Sequence, residues 1–267
     1  TDESLMVFTS RRAGSTGSKK DPEDDAYFED IYISRKNPDG SWGQAENLGD
    51  NINTESHDAI SGVSPDGTAM FVYYGHKGYG DIFTSEYSEG DWGKTRTIGK
   101  KINGKTTWET AATVSADGER LYFVSNRSGG KGGRDIWHSD WDYNKETWGE
   151  PVNEGSVINT KHDEVGVFFH PDGKTLYFAS TGHETMGGFD IFESVFENGS
   201  WSTPKNIGYP INTPDDDVFF VTNASGKRGY YASFRPDGVG EKDIYVITFL
   251  GPEKQPLLSS ELDCKYC

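Results

Sequence analysis

One repeat of about fifty residues runs through this chain and constrains its fold more than any other feature. In its clearest copy, Val165–Ser180 forms a strand, a tight Pro-Asp-Gly turn and a second strand. Asp190 then opens a third strand, and Trp201 opens a short fourth one. The unit closes with Asn-Ile-Gly and with Ile-Asn-Thr at Ile211–Thr213. Four strands at this period are typical of one blade of a β-propeller.

Three markers recur in the same order and indicate the number of blades. The third-strand aspartate is found at Asp30, Asp81, Asp135, Asp190 and Asp243. The fourth-strand tryptophan is found at Trp42, Trp92, Trp148 and Trp201. The closing Ile-Asn pair begins at Ile52, Ile102, Ile158 and Ile211. The sequence therefore predicts an all-β fold, a five-bladed β-propeller of four-stranded antiparallel blades.

The first and last repeats are incomplete. Thr1 aligns with the turn between the first two strands, so the first blade has strands B, C and D but no inner strand A. The last blade has strands A, B and C only. We expect one propeller over residues 1–249, incomplete at both termini, with residues before Thr1 supplying at least the missing inner strand. Residues 250–267, including Cys264 and Cys267, are predicted to be a tail or a linker to a following domain.

The net charge of the chain is −17, which argues against nucleic acid as a partner because phosphates would be repelled. No apolar run approaches the roughly 18 residues that a membrane-spanning helix needs. Aromatic residues make up 13% of the chain and supply the apolar area of a folded core. We therefore expect a folded domain without a membrane span, and no cofactor.

The repeated turn, the Leu-Tyr-Phe-x-Ser strand at Leu121–Ser125 and the Asp-Ile-aromatic strand resemble the TolB-like, WD-like propellers of bacterial envelopes. The added tryptophan and the Ile-Asn-Thr ending resemble propellers of Bacteroidota OmpA-family lipoproteins, most closely PorE-like components of the type IX secretion system. The resemblance covers residues 1–249. It implies a periplasmic, outer-membrane-associated scaffold that binds other envelope or secretion-system proteins. Contact with peptidoglycan would come through domains outside this chain.

Four acidic residues share one position at the start of strand A. They are Asp58, Glu109, Glu164 and Asp217. Strand A lines the central channel of a propeller, so these carboxylates are expected near one mouth of it. One interpretation is a cation site, with Ca²⁺ favoured because it prefers oxygen ligands. The other, which the repetition favours, is that each carboxylate caps its own crossover turn. The strand-C aspartates and the repeated tryptophans also follow the repeat and are expected to be structural.

Residues that break the repeat are better candidates for binding. The loop Arg11–Glu29 is much longer than its counterparts and places four basic residues before a run of acidic ones. Those basic residues are Arg11, Arg12, Lys19 and Lys20. Long loops on a rigid scaffold often carry binding, although a solvated insertion is the alternative. Further departures from the repeat are Trp108, Arg127, Arg134, Trp141 and His183. Tryptophan and arginine are the residue types that anchor interfaces.

Sequence motifs of catalysis are absent: the chain has no G-x-S-x-G, no H-E-x-x-H and no P-loop. The main enzymatic alternative is a five-bladed glycoside hydrolase, whose two carboxylates need unlike environments. Equivalent positions of a repeat provide like environments. The sequence therefore favours a non-enzymatic interaction scaffold. A propeller that binds glycan or peptidoglycan is the first alternative, and the hydrolase is a weaker one.

Overall fold

A computed structural model describes residues 3–76, 79–233, 238 and 242–256; Thr1, Cys264 and Cys267 lie outside them. The strands form five separate antiparallel sheets in chain order, which confirms the predicted five-bladed propeller. Apart from a single 3₁₀ turn at Thr16–Ser18, the described residues contain no helix. The described residues therefore contain no helix that is long and apolar enough to cross a bilayer.

The strands follow the repeat blade by blade. Blade I contains β1 (Leu5–Ser10), β2 (Asp30–Arg35) and β3 (Glu46–Asn47). Blade II contains β4 (His57–Val63), β5 (Ala69–His76), β6 (Tyr79–Ser88), β7 (Asp91–Trp92) and β8 (Arg96–Thr97). Blade III contains β9 (Glu109–Val114), β10 (Arg120–Ser125), β11 (Asp135–Asp142), β12 (Thr147–Trp148) and β13 (Val152–Asn153). Blade IV contains β14 (Glu164–Phe169), β15 (Thr175–Ser180), β16 (Asp190–Glu197), β17 (Ser200–Trp201) and β18 (Lys205–Asn206). Blade V contains β19 (Phe220–Thr222), β20 (Arg228–Ser233) and β21 (Asp243–Thr248).

In each complete blade, strand D consists of two short pieces that both pair with strand C. Blade I has no inner strand A and blade V has no outer strand D among the described residues. Over the described ranges, the first and last blades are therefore incomplete as predicted.

Strands B and C form the core because both of their faces pack between neighbouring blades. All six residues of β15 are buried, and Phe123, Phe178 and Phe192 are at most 1% exposed. Burial on both faces explains why these strands read as continuous apolar runs rather than as alternating ones. Each buried phenylalanine stabilises the fold by roughly 1.5–3 kcal/mol.

An asparagine joins each crossover to strand C. The Asn159 side chain accepts a hydrogen bond from the Ile136 amide and donates one to its carbonyl, both at 2.8 Å. The same clamp is formed by Asn53 on Ile31, Asn103 on Ile82 and Asn212 on Ile191. These bonds satisfy backbone groups that strand D leaves unpaired, which is why asparagine follows isoleucine in every closing motif.

The described part of the predicted tail packs on the propeller. The Lys254 amide donates to the Ser225 carbonyl at 2.8 Å, and the Lys254 ammonium donates to Thr175 Oγ1 at 2.9 Å. Lys227 Nζ donates to the Gly251 carbonyl at 2.5 Å. Residues 250–256 therefore lie against blades IV and V.

Candidate functional site

The B–C loops and the D–A crossovers meet at one end of the propeller, which we call the loop face. Three backbone hydrogen bonds join them. The amides of Asp58, Glu164 and Asp217 donate to the carbonyls of Glu29, Arg134 and Phe189 at 3.0, 2.8 and 2.7 Å. Each bond links the residue before a strand-C aspartate to the start of the next strand A. The loop face is thereby built on the rigid ends of the sheets.

The strand-A carboxylates are buried beneath the loop face. Asp58, Glu109 and Glu164 are 0% exposed, and Asp217 is 3% exposed. Asp58 accepts hydrogen bonds from the amide and the hydroxyl of Thr54. Glu164 accepts the same pair from Thr160, at 3.1 and 2.8 Å. These carboxylates therefore cap their own crossover turns.

Asp217 repeats this cap on Thr213, whose amide donates at 2.6 Å and whose hydroxyl donates at 3.0 Å. Burial raises the pKa of Asp58 and of Glu164 to about 7, although the threonine hydrogen bonds act in the opposite direction. Burial likewise raises the pKa of Asp217. In the described residues, no group of three or more His, Cys, Asp or Glu side chains is placed to hold a metal ion. The calcium site at Asp58, Glu109, Glu164 and Asp217 stays a prediction. The described residues do not bring three of these carboxylates together.

Glu109 differs from the other three carboxylates because an arginine accompanies it. It accepts hydrogen bonds from the Gly104 amide at 3.2 Å and from Ser125 Oγ at 2.6 Å. Arg127 Nη2 lies 3.3 Å from Glu109 Oε1 and also donates to the carbonyl of Ile102 at 2.5 Å. Burial lowers the pKa of Arg127, and its side chain is only 13% exposed. Arg127 is thus an internal partner of a buried carboxylate and contributes little surface to the loop face.

The insertion Arg11–Glu29 folds onto the loop face through ion pairs. The Arg11 guanidinium donates to both carboxylate oxygens of Asp24, at 2.5 and 2.9 Å, and to the Tyr27 carbonyl at 2.7 Å. This pairing raises the pKa of Arg11 and lowers that of Asp24. Lys19 pairs with Glu55 of the neighbouring crossover. The predicted basic and acidic segments therefore neutralise one another.

The remaining basic residues of the insertion are also engaged. Lys20 Nζ lies 3.1 Å from Asp25 Oδ2. The Arg12 guanidinium carbon lies 4.9 Å from the centre of the Tyr32 ring. His57 of the following blade contacts Glu29 through Nδ1 and lies 3.2 Å from Asp21 through Nε2. One end of the insertion is thus anchored to blade II.

At each blade junction, two positions that are far apart in the sequence carry side chains that differ from blade to blade. One directly precedes the strand-C aspartate, and the other directly precedes the strand-A acid. The resulting junction pairs are Glu29 with His57, Gly80 with Trp108, Arg134 with Asp163, and Phe189 with Asp216. The same backbone hydrogen bond forms at the first, third and fourth of these junctions, so the side chains make those three junctions differ.

The most elaborate junction links blades II, III and IV. Trp108 Nε1 donates to Tyr73 OH at 2.9 Å, and the Arg134 guanidinium carbon lies 5.5 Å from the centre of a Trp108 ring. Arg134 also pairs with Asp163 at 2.8 Å. Gly80 makes room for the Tyr73 ring, since a Cβ there would lie 2.1 Å from Tyr73 Cε2. A cation held over an indole is attracted by the ring electrons, so this cluster is fixed in place.

Two of the predicted binding residues lie apart from this cluster. The Trp141 amide donates to the Glu119 carbonyl at 2.8 Å, next to an A–B turn at the opposite end of the blade, and its ring packs against Trp148. His183 Nε2 lies 2.9 Å from the Ile158 carbonyl, where it ties a B–C loop to the crossover. Of the departures from the repeat outside the insertion, Trp108 and Arg134 come together on the loop face.

Sequence reasoning passed over Tyr73, His57 and Asp163 as partners in this site. A signal for two of them was present, because His57 and Asp163 align with Trp108 directly before a strand-A acid. For Tyr73 the only signal was the glycine at Gly80, which the structure shows to be space for its ring.

The chain matches no protein-family model, and no curated protein matches its sequence. Its fold is similar to that of TolB from Acinetobacter baumannii, with a TM-score of 0.52 and 18% identity. That match covers 94% of this chain and 52% of the TolB chain, so the chain spans about half of that protein. The fold defined here is therefore a TolB-like β-propeller.

Glycoside hydrolases share this architecture. An α-L-arabinofuranosidase from Clostridium thermocellum matches with a TM-score of 0.51 and 13% identity, covering 96% of this chain and 91% of that one. The α-L-arabinofuranosidase PaAbf62A from Podospora anserina, solved with cellotriose, matches with a TM-score of 0.51 and 13% identity, covering 94% and 88%. The fold alone thus does not separate enzymes from binding scaffolds.

Proposed function

We propose that this chain is a non-enzymatic interaction scaffold that binds a partner protein through its loop face. The observation that carries the proposal is the set of junction pairs. The junctions present an acid with a histidine, a tryptophan that donates to Tyr73, and an arginine with an acid. Rigid sheet ends hold these groups, so little conformational entropy is lost when a partner docks.

We further propose that the scaffold works in the periplasm, associated with the outer membrane, in a complex such as the type IX secretion system. The support is the set of repeat markers that resemble OmpA-family propellers, together with the TolB-like fold. Its partners would be other envelope or secretion-system proteins. Peptidoglycan would be reached through domains outside this chain.

The strand-A carboxylates support a non-enzymatic role. Asp58 and Glu164 are completely buried and capped by their own crossovers, so a substrate does not reach them without unfolding of the turn. Burial raises the pKa of both to about 7. Glycoside hydrolysis needs one protonated and one ionised carboxyl, and these two environments do not separate such roles.

The proposal is tested by using the propeller as bait in envelope extract from its source organism. The bait variant is Trp108→Ala/Arg134→Ala, which removes the central cluster of the loop face. A matched control, Tyr143→Ala/Lys145→Ala, removes an aromatic and a cation at the opposite end. We expect wild type and control to capture the same envelope proteins. The loop-face variant should bind roughly 30-fold more weakly, as is typical when an interface loses about 2 kcal/mol.

Equal capture by all three baits would place binding elsewhere and contradict the loop-face assignment. Capture of no protein beyond that found with an unrelated propeller would contradict the scaffold itself. A glycan array then decides the second candidate, because an indole beside the Arg134–Asp163 pair also suits a sugar. Glycan binding that is lost in the Trp108→Ala/Arg134→Ala variant would favour that function.

A further inference from the structure

The end of blade III at the loop face carries a cluster of cations, although the net charge of the chain is −17. The cluster is built from two crossovers and one B–C loop, at residues 103–109, 159–164 and 126–135. Lys105, Lys131 and Lys161 are exposed there, and Arg134 is half-buried. We call these four residues the cationic sector. On a strongly acidic protein, a local surface of the opposite sign attracts an anionic group.

The three segments that carry the cationic sector are in direct contact. A Cβ on Gly132 of the B–C loop would lie 1.9 Å from the His162 carbonyl oxygen of the second crossover. The Arg134 guanidinium carbon of the same loop lies 5.5 Å from the centre of a Trp108 ring on the first crossover. Arg134 also pairs with Asp163 of the second crossover at 2.8 Å. The side chains of the sector therefore belong to one continuous surface.

Little negative charge compensates the cationic sector at the surface. The acids of its three segments are Glu109, Asp135, Asp163 and Glu164. All of them except Asp163 are at most 1% exposed, and Asp163 is paired with Arg134. Within the part of the chain that the structure describes, none of the three lysines forms an ion pair. Their ammonium groups are therefore available to a ligand.

The repeat does not require lysine at these positions. The Lys131 amide donates to the side chain of Asp135, and at the equivalent position of blade IV the Met186 amide donates to the side chain of Asp190. The backbone thus makes the same hydrogen bond with either side chain. Two residues after the closing asparagine, the successive crossovers carry Glu55, Lys105, Lys161 and Pro214. The cations are therefore a local property of blade III and not a requirement of the fold.

We propose that the cationic sector binds a short acidic segment of the partner protein. This inference rests on the proposed function and specifies the charge of the segment that docks on the loop face. An exposed ion pair is weak by itself, so three separate lysines select a ligand that carries several carboxylates in one chain. Lysine is a flexible point charge, which suits the mobile carboxylates of a peptide. A long polyanion would be repelled by the acidic surface around the sector, whereas a short segment stays within it.

The probe is a fluorescein-labelled octapeptide of alternating glutamate and serine, and the control peptide has glutamine in place of glutamate. Fluorescence anisotropy at low ionic strength should show saturable binding of the acidic peptide alone. The variant Lys105→Glu/Lys131→Glu/Lys161→Glu should bind it about tenfold more weakly. A matched control, Lys94→Glu/Arg96→Glu/Lys205→Glu, makes the same charge change at exposed positions in or next to the outer strands. It should weaken binding by less than about threefold, through the net charge alone.

Equal binding of the acidic peptide by the two charge variants, or equal binding of the glutamine peptide by wild type, overturns the inference. Tighter, lysine-dependent binding of polygalacturonate also overturns it, because the ligand is then an anionic glycan.

The lysine variant used as bait separates this inference from the proposed function. A partner that is lost with Trp108→Ala/Arg134→Ala but retained with the lysine variant supports the loop face and overturns the acidic segment. Lysine-dependent peptide binding without any captured partner supports the acidic-segment site and contradicts the scaffold role.

Discussion

Asn159 shows how single polar side chains hold the blade junctions. It is 1% exposed and bonds the amide and the carbonyl of Ile136, while its Nδ2 also donates to Asn153 Oδ1 at 3.1 Å. Leaving a buried backbone group without a partner costs about 1–3 kcal/mol. Residues of this type therefore contribute to stability through the groups that they satisfy, and they recur because each junction has the same need.

Asp58 and Glu164 make the stability of the fold depend on pH. Burial raises the pKa of each carboxyl to about 7, above the value of roughly 4 in an unfolded chain. Their favourable contribution is therefore complete below about pH 4 and is lost as the pH rises through about 7. We expect each group to lower the free energy of unfolding by on the order of 2 kcal/mol between pH 4 and pH 8.

Urea unfolding at both pH values measures this effect. Asp58→Asn and Glu164→Gln keep the hydrogen-bonding shape but cannot ionise, so each variant should lose less stability than wild type over that range. Asp172 acts in the opposite direction: burial raises its pKa, but hydrogen bonds with His170 and Thr175 outweigh burial and hold the pKa low. The change in the free energy of unfolding between the two pH values is compared between each variant and wild type, and the difference is the contribution of the substituted carboxyl group. Glu89→Gln, which removes one carboxyl from an exposed position, is the control, and a pH profile of Asp58→Asn that equals the profile of this control would contradict the assignment.

At the scale of elements, the blades are positioned by close backbone contact as well as by apolar burial. β14 contains a register shift between Val165 and Phe168, and Gly166 lies there with φ +58°. A Cβ on Gly166 would be 1.8 Å from the Val218 carbonyl of blade V. The glycine therefore permits both a left-handed backbone and the approach of the next inner strand.

Gly166→Ala is expected to lower the free energy of unfolding by about 3 kcal/mol, because the added methyl group collides with backbone. Gly199→Ala is the matched control: φ is +80° there, and a Cβ meets nothing within 4 Å. Its cost should be about 1 kcal/mol, from backbone conformation alone. Chemical denaturation of the two variants provides the comparison. Equal losses would show that the approach of blade V does not constrain this position.

At the scale of the whole molecule, the propeller is less well packed where its first and last blades meet. β10 is buried at five of its six residues, whereas the residues of β21 alternate between half-buried and exposed. Few buried contacts allow a region to open without global unfolding. Opening should therefore begin at the junction of blades I and V.

Hydrogen exchange followed by mass spectrometry can locate this opening. We expect strands β1, β2, β20 and β21 to exchange faster than β10, β11, β15 and β16, since the middle blades are covered on both sides. Uniform exchange across all five blades would show instead that the molecule opens only as one cooperative unit.

The repeat predicted much of this structure. The period, the Asp-Gly turns and the closing Ile-Asn pairs were sufficient for the five blades, their strand order and the incomplete ends, because local turn chemistry and apolar runs determine strands. The structural role of the repeated aspartates was also predicted: Asp135 accepts hydrogen bonds from the Gly132 amide at 2.9 Å and from Asn153 at 2.8 Å. Predictions that depended on one repeat at a time were therefore reliable.

Side chains that meet across blades were harder to predict. Arg127 and Trp108 both depart from the repeat, yet one lies against buried Glu109 while the other lies under Arg134 on the loop face. Their sequence neighbourhoods do not distinguish these environments, because the partners are 18 and 26 residues away along the chain. The sequence by itself determined the blades, since each is built from local turns and strands. Only the tertiary structure decided which side chains from different blades face solvent together, because that depends on how separate blades pack.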